Sequence, residues 1–257
     1  MRIPFVKYQG TGNDFIIIDA REIAPVLDVQ KLCDRHFGIG ADGLMLLKNH
    51  PEYDFEMVYY NSDGNLSTMC GNGGRCLSHF AHQLGIGNGN LRFIAVDGPH
   101  EAKIQDNWVA LGMIDVPNWD KRSQDLVVIH TGSPHYVQFM EHAVEDVNLI
   151  EFARSIRYND EFGKEGINVN IVNLLHDGSL KMRTYERGVE DETMSCGTGV
   201  TAAALSAHIT GRISDHSVAV HTAGGDLSVQ FSAASAGFAE VVLSGPAEAV
   251  FQGFIEA

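Results

Sequence analysis

The chain carries an internal duplication centred on two cysteine motifs. Cys70-Gly-Asn-Gly and Cys196-Gly-Thr-Gly are each followed by an Ala-His-x-x-Gly run, and Gly98 and Gly224 lie equally far beyond the two cysteines. Repeats of about 20–50 residues are typical of solenoids, whereas a repeat of half the chain predicts two duplicated domains. We expect each cysteine to open a glycine turn that leads into a helix.

Most of the remaining sequence predicts short strands, because runs rich in Val, Ile, Phe and Tyr alternate with Gly, Asn and Asp. Apolar spacing predicts helices over residues 29–37, 74–84, 149–156 and 200–209. We therefore predict an α+β fold of two pseudo-symmetric duplicated domains. Each domain is expected to be a curved, mostly antiparallel sheet or barrel wrapped around a central helix.

The domain boundaries follow from the repeat and from one polar stretch. The first domain is predicted to comprise residues 1–117 together with residues 248–257, whose final strand returns to it. The second is predicted to comprise residues 118–247, with the polar residues 118–125 as the linker. We expect the active site in the cleft between the two domains.

Composition excludes several classes of function. A formal net charge of −15 argues against a nucleic-acid groove, and no apolar run is long enough for a signal core or a membrane span. We therefore expect a cytoplasmic protein with a small-molecule substrate, no nucleic acid and no membrane partner. The four cysteines form neither a disulfide framework nor a CxxC metal motif. We expect no metal and no cofactor, since neither a dinucleotide fingerprint nor a P-loop is present.

The two cysteines suggest a specific chemistry. The α-proton of an amino acid is weakly acidic, so an enzyme without a cofactor must itself supply acid, base and carbanion stabilisation. A helix N-terminus can lower a cysteine pKa from about 8.5 to roughly 3.5–7.5. Cys70 and Cys196, one as thiolate and one as thiol, would then form a matched base and acid on opposite sides of one carbon. The N–H groups of the two helix starts would stabilise the enolate-like transition state.

Eight motifs in order connect the chain with a known family. They are Gly12-Asn13-Asp14-Phe15, Gly38-Ile-Gly-Ala-Asp42, Tyr60-Asn61-Ser-Asp-Gly64, Cys70-Gly-Asn-Gly-Gly-Arg-Cys76, Pro134-His135, Asn168-Val169, Tyr185-Glu-Arg-Gly188 and Cys196-Gly-Thr-Gly199. By these motifs the chain resembles the diaminopimelate epimerase family from end to end. The resemblance implies a cofactor-free epimerase that converts LL- to meso-diaminopimelate for lysine and cell-wall synthesis, and it suggests a homodimer.

The resemblance also implies roles for individual residues. His135 would orient Cys70, and Glu186 would orient Cys196. Arg187 suits the distal substrate carboxylate as a bidentate partner. Backbone groups at four positions would bind the substrate, and Glu186 and further side chains would hold the zwitterionic distal end. The backbone positions are Gly71, Asn72, Gly197 and Thr198, and the further side chains are Asn13, Asn61, Ser133 and Asn168.

Two residues depart from the family pattern, and both were expected to lie on the substrate-recognition side of the site. Ser133 stands where the family commonly has Asn in the turn Gly132-Ser-Pro-His135. Gly43 stands where some members have Gln. Ser133 is shorter than Asn and cannot reproduce both of its amide contacts, and Gly43 offers only its backbone.

Four other functions remain open on the sequence. A two-cysteine racemase of the same fold could act on proline, hydroxyproline or histidine, although Arg187 and the asparagines would then have no obvious use. A related isomerase with a carboxylate base is disfavoured by the paired cysteines. A thiol–disulfide redox protein lacks the CxxC or resolving-cysteine motif. A non-catalytic binding protein would not explain two cysteines at helix starts.

Overall fold

The computed structural model describes residues 2–67 and 69–256. It divides into two compact units. Unit 1 comprises Met1–Leu111 together with Gly245–Ala257, and unit 2 comprises Gly112–Ser244. The boundaries predicted from the sequence lie a few residues C-terminal of these. Met1 and Ala257, the ends of the predicted first domain, lie outside the described residues.

The structure consists mainly of strands, with four short helices and one 3₁₀ turn (Val144–Asp146) within the described residues. The first half of the chain contains β1 (Arg2–Gly10), β2 (Asn13–Asp19), α1 (Val29–Cys33), β3 (Gly43–Lys48), β4 (Phe55–Asn61), α2 (Gly71–Gln83), β5 (Asn90–Ala95), β6 (Gly98–Gln105) and β7 (Trp108–Gly112). The second half contains β8 (Trp119–Lys121), β9 (Leu126–His130), β10 (Pro134–Phe139), α3 (Leu149–Arg157), β11 (Asn168–Leu174), β12 (Leu180–Glu186), β13 (Asp191–Thr193), α4 (Gly197–Ile209), β14 (Ser217–Thr222), β15 (Gly225–Ala234), β16 (Gly237–Pro246) and β17 (Glu248–Glu256).

The two units repeat one order of strand pairing. In unit 1 the order is β17-β1-β2-β3-β4-β5-β6-β7, with parallel pairs β2–β3 and β4–β5. In unit 2 it is β8-β9-β10-β11-β12-β14-β15-β16, with parallel pairs β10–β11 and β12–β14. All other pairs in the two rows are antiparallel. The predicted α+β class and the mostly antiparallel sheets are confirmed.

One central helix packs against the sheet of each unit. In unit 2, α4 contacts β9, β10, β11, β12, β14 and β15. Buried residues occur all around this helix, and they join Val127, Val137 and Leu243 in one apolar core. A helix that is apolar on every side is typical of a fully buried core element, and its run of alanines favours the helical state. In unit 1, α2 occupies the equivalent position and is buried from Gly71 to Ala81.

The central helices begin earlier than the sequence predicted. They start at Gly71 and Gly197, and the extended residues Cys70 and Cys196 are their N-caps. The glycines after each cysteine therefore lie within the first helical turn and do not form a separate turn before it.

The other differences between the predicted and the observed elements have separate causes. The helix predicted over residues 29–37 ends at Cys33, because the Asp34 carboxylate accepts the main-chain N–H groups of His36 and Phe37 and competes with the helix. The linker predicted over residues 118–125 contains β8, which pairs with β9. In the β14–β15 hairpin the residue equivalent to Gly98 is Gly225, one position beyond Gly224.

The central position of α4 leads to a stability prediction. Leu205 is fully buried on this helix, so we expect Leu205→Ala to lower the free energy of unfolding by about 2–5 kcal/mol. Urea unfolding followed by circular dichroism measures this loss. The control Leu174→Ala changes a leucine that is 41% exposed at the end of β11 and should cost clearly less. Equal losses at both positions would contradict a core helix.

Candidate active site

The starts of α2 and α4 present equivalent chemistry in the two units. The first helical hydrogen bonds run from Gly74 N–H to the Cys70 carbonyl (2.7 Å) and from Val200 N–H to the Cys196 carbonyl (2.9 Å). The preceding N–H groups, including those of Gly71 and Gly197, therefore have no acceptor within their helix. Together with the helix dipole, these groups favour an anion beside each cysteine.

In unit 2, a compact polar cluster lies beside Cys196. The Cys196 Sγ is 3.4 Å from the Thr198 hydroxyl, which is 2.9 Å from His135 Nε2. The Ser133 hydroxyl lies 2.9 Å from the same His135 nitrogen and 3.0 Å from the Thr198 hydroxyl. Thr198 was predicted to contribute only its backbone, whereas its side chain bridges the cysteine and the histidine.

Asn168 holds the cluster in place. Its side-chain N–H groups donate to the Ser133 hydroxyl (3.1 Å) and to the Pro134 carbonyl (2.9 Å), and its Oδ1 accepts the main-chain N–H of Arg187 (2.9 Å). Both amide protons are thus engaged within the protein. In this arrangement Asn168 orients Ser133 and Arg187.

His135 is a neutral side chain in this environment. Burial, followed by the electrostatic effects of His130 and Arg187, lowers the pKa of His135 to about 3. At neutral pH its ring therefore carries a single proton. The predicted pairing of His135 with Cys70 joins residues of different units and stays a prediction.

Glu186 is the last residue of β12, and Arg187 follows it directly. The Glu186 carboxylate accepts the Thr193 hydroxyl at 3.0 Å, which ties it to β13. The exposed Arg187 donates from Nη1 to the Glu165 carbonyl at 3.0 Å. A guanidinium has further donors, so Arg187 can also bind a carboxylate. The predicted pairing of Glu186 with Cys196 stays a prediction.

In unit 1, Asn13 connects Cys70 to a carboxylate. Asn13 Nδ2 donates to Asp42 at 2.5 Å, so the amide oxygen points the other way. This oxygen accepts the Cys70 thiol at 3.5 Å and the Asn72 side chain at 3.4 Å. Because a carboxylate only accepts hydrogen bonds, Asp42 fixes which end of Asn13 meets the cysteine.

Asp42 belongs to a charged cluster that includes Lys7 of β1 and Asp14 of β2. Arg35 bonds Asp42 (2.8 Å) and Asp14 (2.7 Å), and Lys7 lies 2.8 Å from Asp14. Burial raises the pKa of Asp14, but hydrogen bonds from Arg35 and Lys7 outweigh it and lower the pKa to about 2. Both carboxylates are thereby kept beside compensating cations.

The two departures from the family pattern differ in their surroundings. A β-carbon at Gly43 would collide with the ring of Tyr59 and lie 2.5 Å from the Tyr60 carbonyl. A longer side chain at Gly43 therefore requires Tyr59 to move. Ser133 contacts His135 and Thr198 directly, so this departure affects the surroundings of Cys196 as well as substrate recognition. Asn61 is the last residue of β4, opposite Gly43 in the register.

Burial shifts the pKa values of three further side chains. Arg75, in α2, is fully buried and donates to the Thr11 hydroxyl at 3.2 Å. Burial lowers the pKa of Arg75, and a negative charge on Cys76 or Cys70 opposes this effect. Burial raises the pKa of Cys76 to about 12 and that of Cys33 to about 11, so both thiols stay protonated.

Sequence reasoning did not select Asp42, Thr198 as a side chain, or Arg75 as site residues. Asp42 and Arg75 were visible only as letters of the motifs Gly38-Ile-Gly-Ala-Asp42 and Cys70–Cys76. No His, Cys, Asp or Glu triad suited to a metal ion occurs in residues 2–67 and 69–256. Within the same part of the chain, none of the helices has the length and apolar character that a membrane span requires.

Comparison with known proteins decides the family. A family model described as diaminopimelate epimerase matches residues 5–116 and 127–250. The diaminopimelate epimerase of Flavobacterium psychrophilum is 49% identical over 251 residues, covering 96% of this chain and 97% of the relative. That of Aquifex aeolicus is 39% identical over 272 residues, covering 97% and 96%.

The chain belongs to the diaminopimelate epimerase family. As a member of the diaminopimelate epimerase family it is an isomerase that acts on a small molecule. The fold is shared more widely. A Bacillus anthracis phenazine biosynthesis protein of the PhzF family has a TM-score of 0.79 at 14% identity, with 100% of both chains covered. A hydroxyproline epimerase from Agrobacterium vitis has a TM-score of 0.70 at 13% identity, covering 99% of this chain and 92% of that chain. These two similarities concern the fold alone.

The buried, neutral His135 predicts a pH dependence of stability. Its folded-state pKa of about 3 lies below the unfolded value of about 6.5, so between these values only the unfolded chain takes up a proton. Stability is therefore lost as the pH falls through this window. Relative to His135→Gln, the wild type should lose about 1.4 kcal/mol of unfolding free energy per pH unit.

Urea titrations of both proteins between pH 7 and pH 4 measure this difference. The same substitution at the exposed His176 is the control and should leave the pH dependence unchanged. A difference between wild type and His135→Gln that stays constant with pH would contradict the lowered pKa, because His135 would then take up its proton equally in the folded and unfolded states.

Proposed function

We propose that this enzyme converts LL-2,6-diaminopimelate to meso-diaminopimelate by a two-base proton transfer, without a cofactor. The observation that carries the proposal is the occurrence of a cysteine N-cap at the start of each central helix, beside N–H groups that have no helical acceptor. Membership of the diaminopimelate epimerase family supports the substrate.

Different hydrogen bonds suggest different resting roles for the two thiols. Cys196 lies 3.4 Å from a threonine hydroxyl that can donate to a thiolate, whereas Cys70 donates to the Asn13 amide oxygen. Cys196 would then remove the α-proton, leaving the electron pair delocalised into the adjacent carboxylate. Cys70 would donate its thiol proton to the opposite face of the carbon. The roles exchange in the reverse direction.

The helix starts would stabilise the intermediate charge. N–H groups at Gly71, Asn72, Gly197 and Thr198, in the first turns of α2 and α4, would bind the reacting carboxylate as it becomes enolate-like. Because Cys70 and Cys196 must reach the same carbon, the scheme requires both units to bind one substrate together. Closure of the site around that substrate belongs to the proposal.

The distal amino-acid end of the substrate supplies specificity. Arg187 is exposed and keeps donors beyond its bond to Glu165, so it suits the distal carboxylate. Asn61 and Glu186, each at the end of its strand, offer groups for the distal ammonium. Asn168 would act indirectly, since it positions the Arg187 backbone. We extend the proposal to a cytoplasmic homodimer that serves lysine and peptidoglycan-precursor synthesis.

Incubation of the reduced enzyme with LL-diaminopimelate in deuterated water tests the proposed reaction. The expected product is the meso isomer with one solvent deuterium at the inverted carbon, because the returning proton comes from a thiol that exchanges with solvent. Chiral separation and mass analysis measure both features. Conversion of proline or histidine in place of diaminopimelate would overturn the substrate, and conversion without deuterium would overturn the mechanism.

Variants of the two cysteines test the two-base scheme. General acid–base groups typically contribute about 10²–10⁴-fold, so Cys70→Ala and Cys196→Ala should each reduce turnover at least ~100-fold, while calorimetry should still detect substrate binding. Cys33→Ala, at a buried cysteine of α1, is the matched control and should keep its activity. Near-normal turnover of either active-site variant would contradict the scheme.

A further inference from the structure

A buried hydrogen-bonded chain extends behind His135, on the side of the ring away from Cys196. Asn170 Nδ2 lies 3.0 Å from His135 Nδ1 and also donates to the Tyr136 carbonyl at 3.2 Å. The Thr184 hydroxyl donates to Asn170 Oδ1 at 3.0 Å. His135, Asn170 and Thr184 are all buried, on three adjacent strands. Neither Asn170 nor Thr184 has a role in the reaction proposed above.

The direction of each hydrogen bond follows from the partners. The Tyr136 carbonyl can only accept, so the nitrogen of the Asn170 amide must face it. The amide oxygen then faces Thr184, whose hydroxyl supplies a proton. The second proton on Asn170 Nδ2 is left for His135 Nδ1, which must accept it through a lone pair. A proton on Nδ1 would point at the N–H of Asn170.

We infer that Asn170 and Thr184 are positioning residues that hold His135 in the tautomer protonated at Nε2, so that the ring donates a hydrogen bond to the Ser133–Thr198 pair. With the Nε2 proton directed at these hydroxyls, the Thr198 proton is available to Cys196. His135 therefore stabilises a thiolate at Cys196 as a hydrogen-bond donor and does not accept a proton. The catalytic part of this inference rests on the proposed function.

The fold itself does not require this chain. In unit 1 the register places Phe15 opposite Gly43 and pairs Met45 with Tyr59. The equivalent pairs in unit 2 are His135 with Asn168, and Asn170 with Thr184. The same positions thus hold apolar or aromatic side chains in one unit and hydrogen-bonded polar ones in the other. A purely structural need would be met by the apolar set.

The ionisable groups near the ring define what a change of protonation would affect. His130 on β9 and Arg187 beyond β12 act electrostatically on His135. Cys196, at the start of α4, is linked to the ring through Thr198. A positive charge on His135 would therefore act on one guanidinium, one further imidazole and one thiol.

The variant Asn170→Asp reverses the hydrogen bond to Nδ1, because a carboxylate can only accept. At high pH His135 should then be protonated at Nδ1, with Nε2 accepting from Thr198 or Ser133. We expect kcat to fall at least tenfold there with little change in KM. On acidification the ring gains its second proton, the donor at Nε2 returns, and kcat should recover. In a serine protease, a wrong imidazole tautomer lowers kcat by about 10⁴.

The protonation itself is measured by ¹⁵N NMR of histidine-labelled protein without substrate. The wild type should show Nε2 protonated and Nδ1 unprotonated at His135, and Asn170→Asp should show a proton on Nδ1. Asn173→Asp is the matched control, since Asn173 on the same strand donates to the main-chain carbonyls of Met140 and His142 and not to an imidazole nitrogen. It should leave the His135 signals and the pH profile as in the wild type.

A second pair of variants covers a failure of Asn170→Asp to fold. Thr184→Val removes the proton that Asn170 Oδ1 accepts and should reduce kcat several-fold and mix the two His135 tautomers, whereas Thr184→Ser should restore both. Wild-type His135 protonated at Nδ1 would overturn the inference. The inference would also be overturned if Asn170→Asp or Thr184→Val kept the His135 tautomer and the pH profile of the wild type. The NMR result does not depend on turnover, so it separates failure of this inference from failure of the proposed reaction.

Discussion

In each unit, the first turn of the central helix packs so closely against a neighbouring strand that little space is left for a side chain. A β-carbon at Gly199 would lie 2.6 Å from Asn170 Oδ1, and one at Gly73 would collide with the methyl group of Met45. The absence of a side chain at these two glycines therefore lets the first turn of each helix lie close to the strand side chains, with the cysteine at the N-cap. The surrounding strands then determine which side chains meet the sulfur, because alternate residues of each strand face the helix.

Equivalent strands of the two units therefore carry different side chains near the two cysteines. In unit 1 the face beneath the helix start holds Met45, Phe15 and Tyr59, and the polar contact to Cys70 comes from Asn13 at the β1–β2 turn. In unit 2 the same face holds a hydrogen-bonded chain that ends at Thr198. The proposed two-base reaction would use this asymmetry, since different surroundings give the two thiols different preferences for the proton. In that proposal the duplication provides two equivalent helix starts, and the different linings would make one thiol the acid and the other the base.

The sequence was sufficient for features that repeat or that have a regular period. The duplication and the strand runs were predictable, because they appear directly as patterns in the sequence. The start of each central helix was placed too late, since glycine has a low helix propensity, whereas the starts predicted at residues 29 and 149 agree with the structure. The polar composition of residues 118–125 predicts a linker, but part of this stretch forms the strand β8, which pairs with β9. Asp42 and Asn170 could not be assigned because their partners are distant in sequence.

Ser133 illustrates how a single departure from a family pattern changes its meaning in three dimensions. From the sequence alone, Ser133 indicated only the loss of an asparagine amide that could bind substrate. In the structure its hydroxyl accepts from Asn168 and lies within 3.0 Å of both His135 and Thr198. A buried polar network is stabilising only when each member finds a partner, and Ser133 joins the Asn168 side of this one to the cysteine side. In the proposed reaction, substrate specificity and the protonation of Cys196 would therefore both depend on the Ser133 hydroxyl.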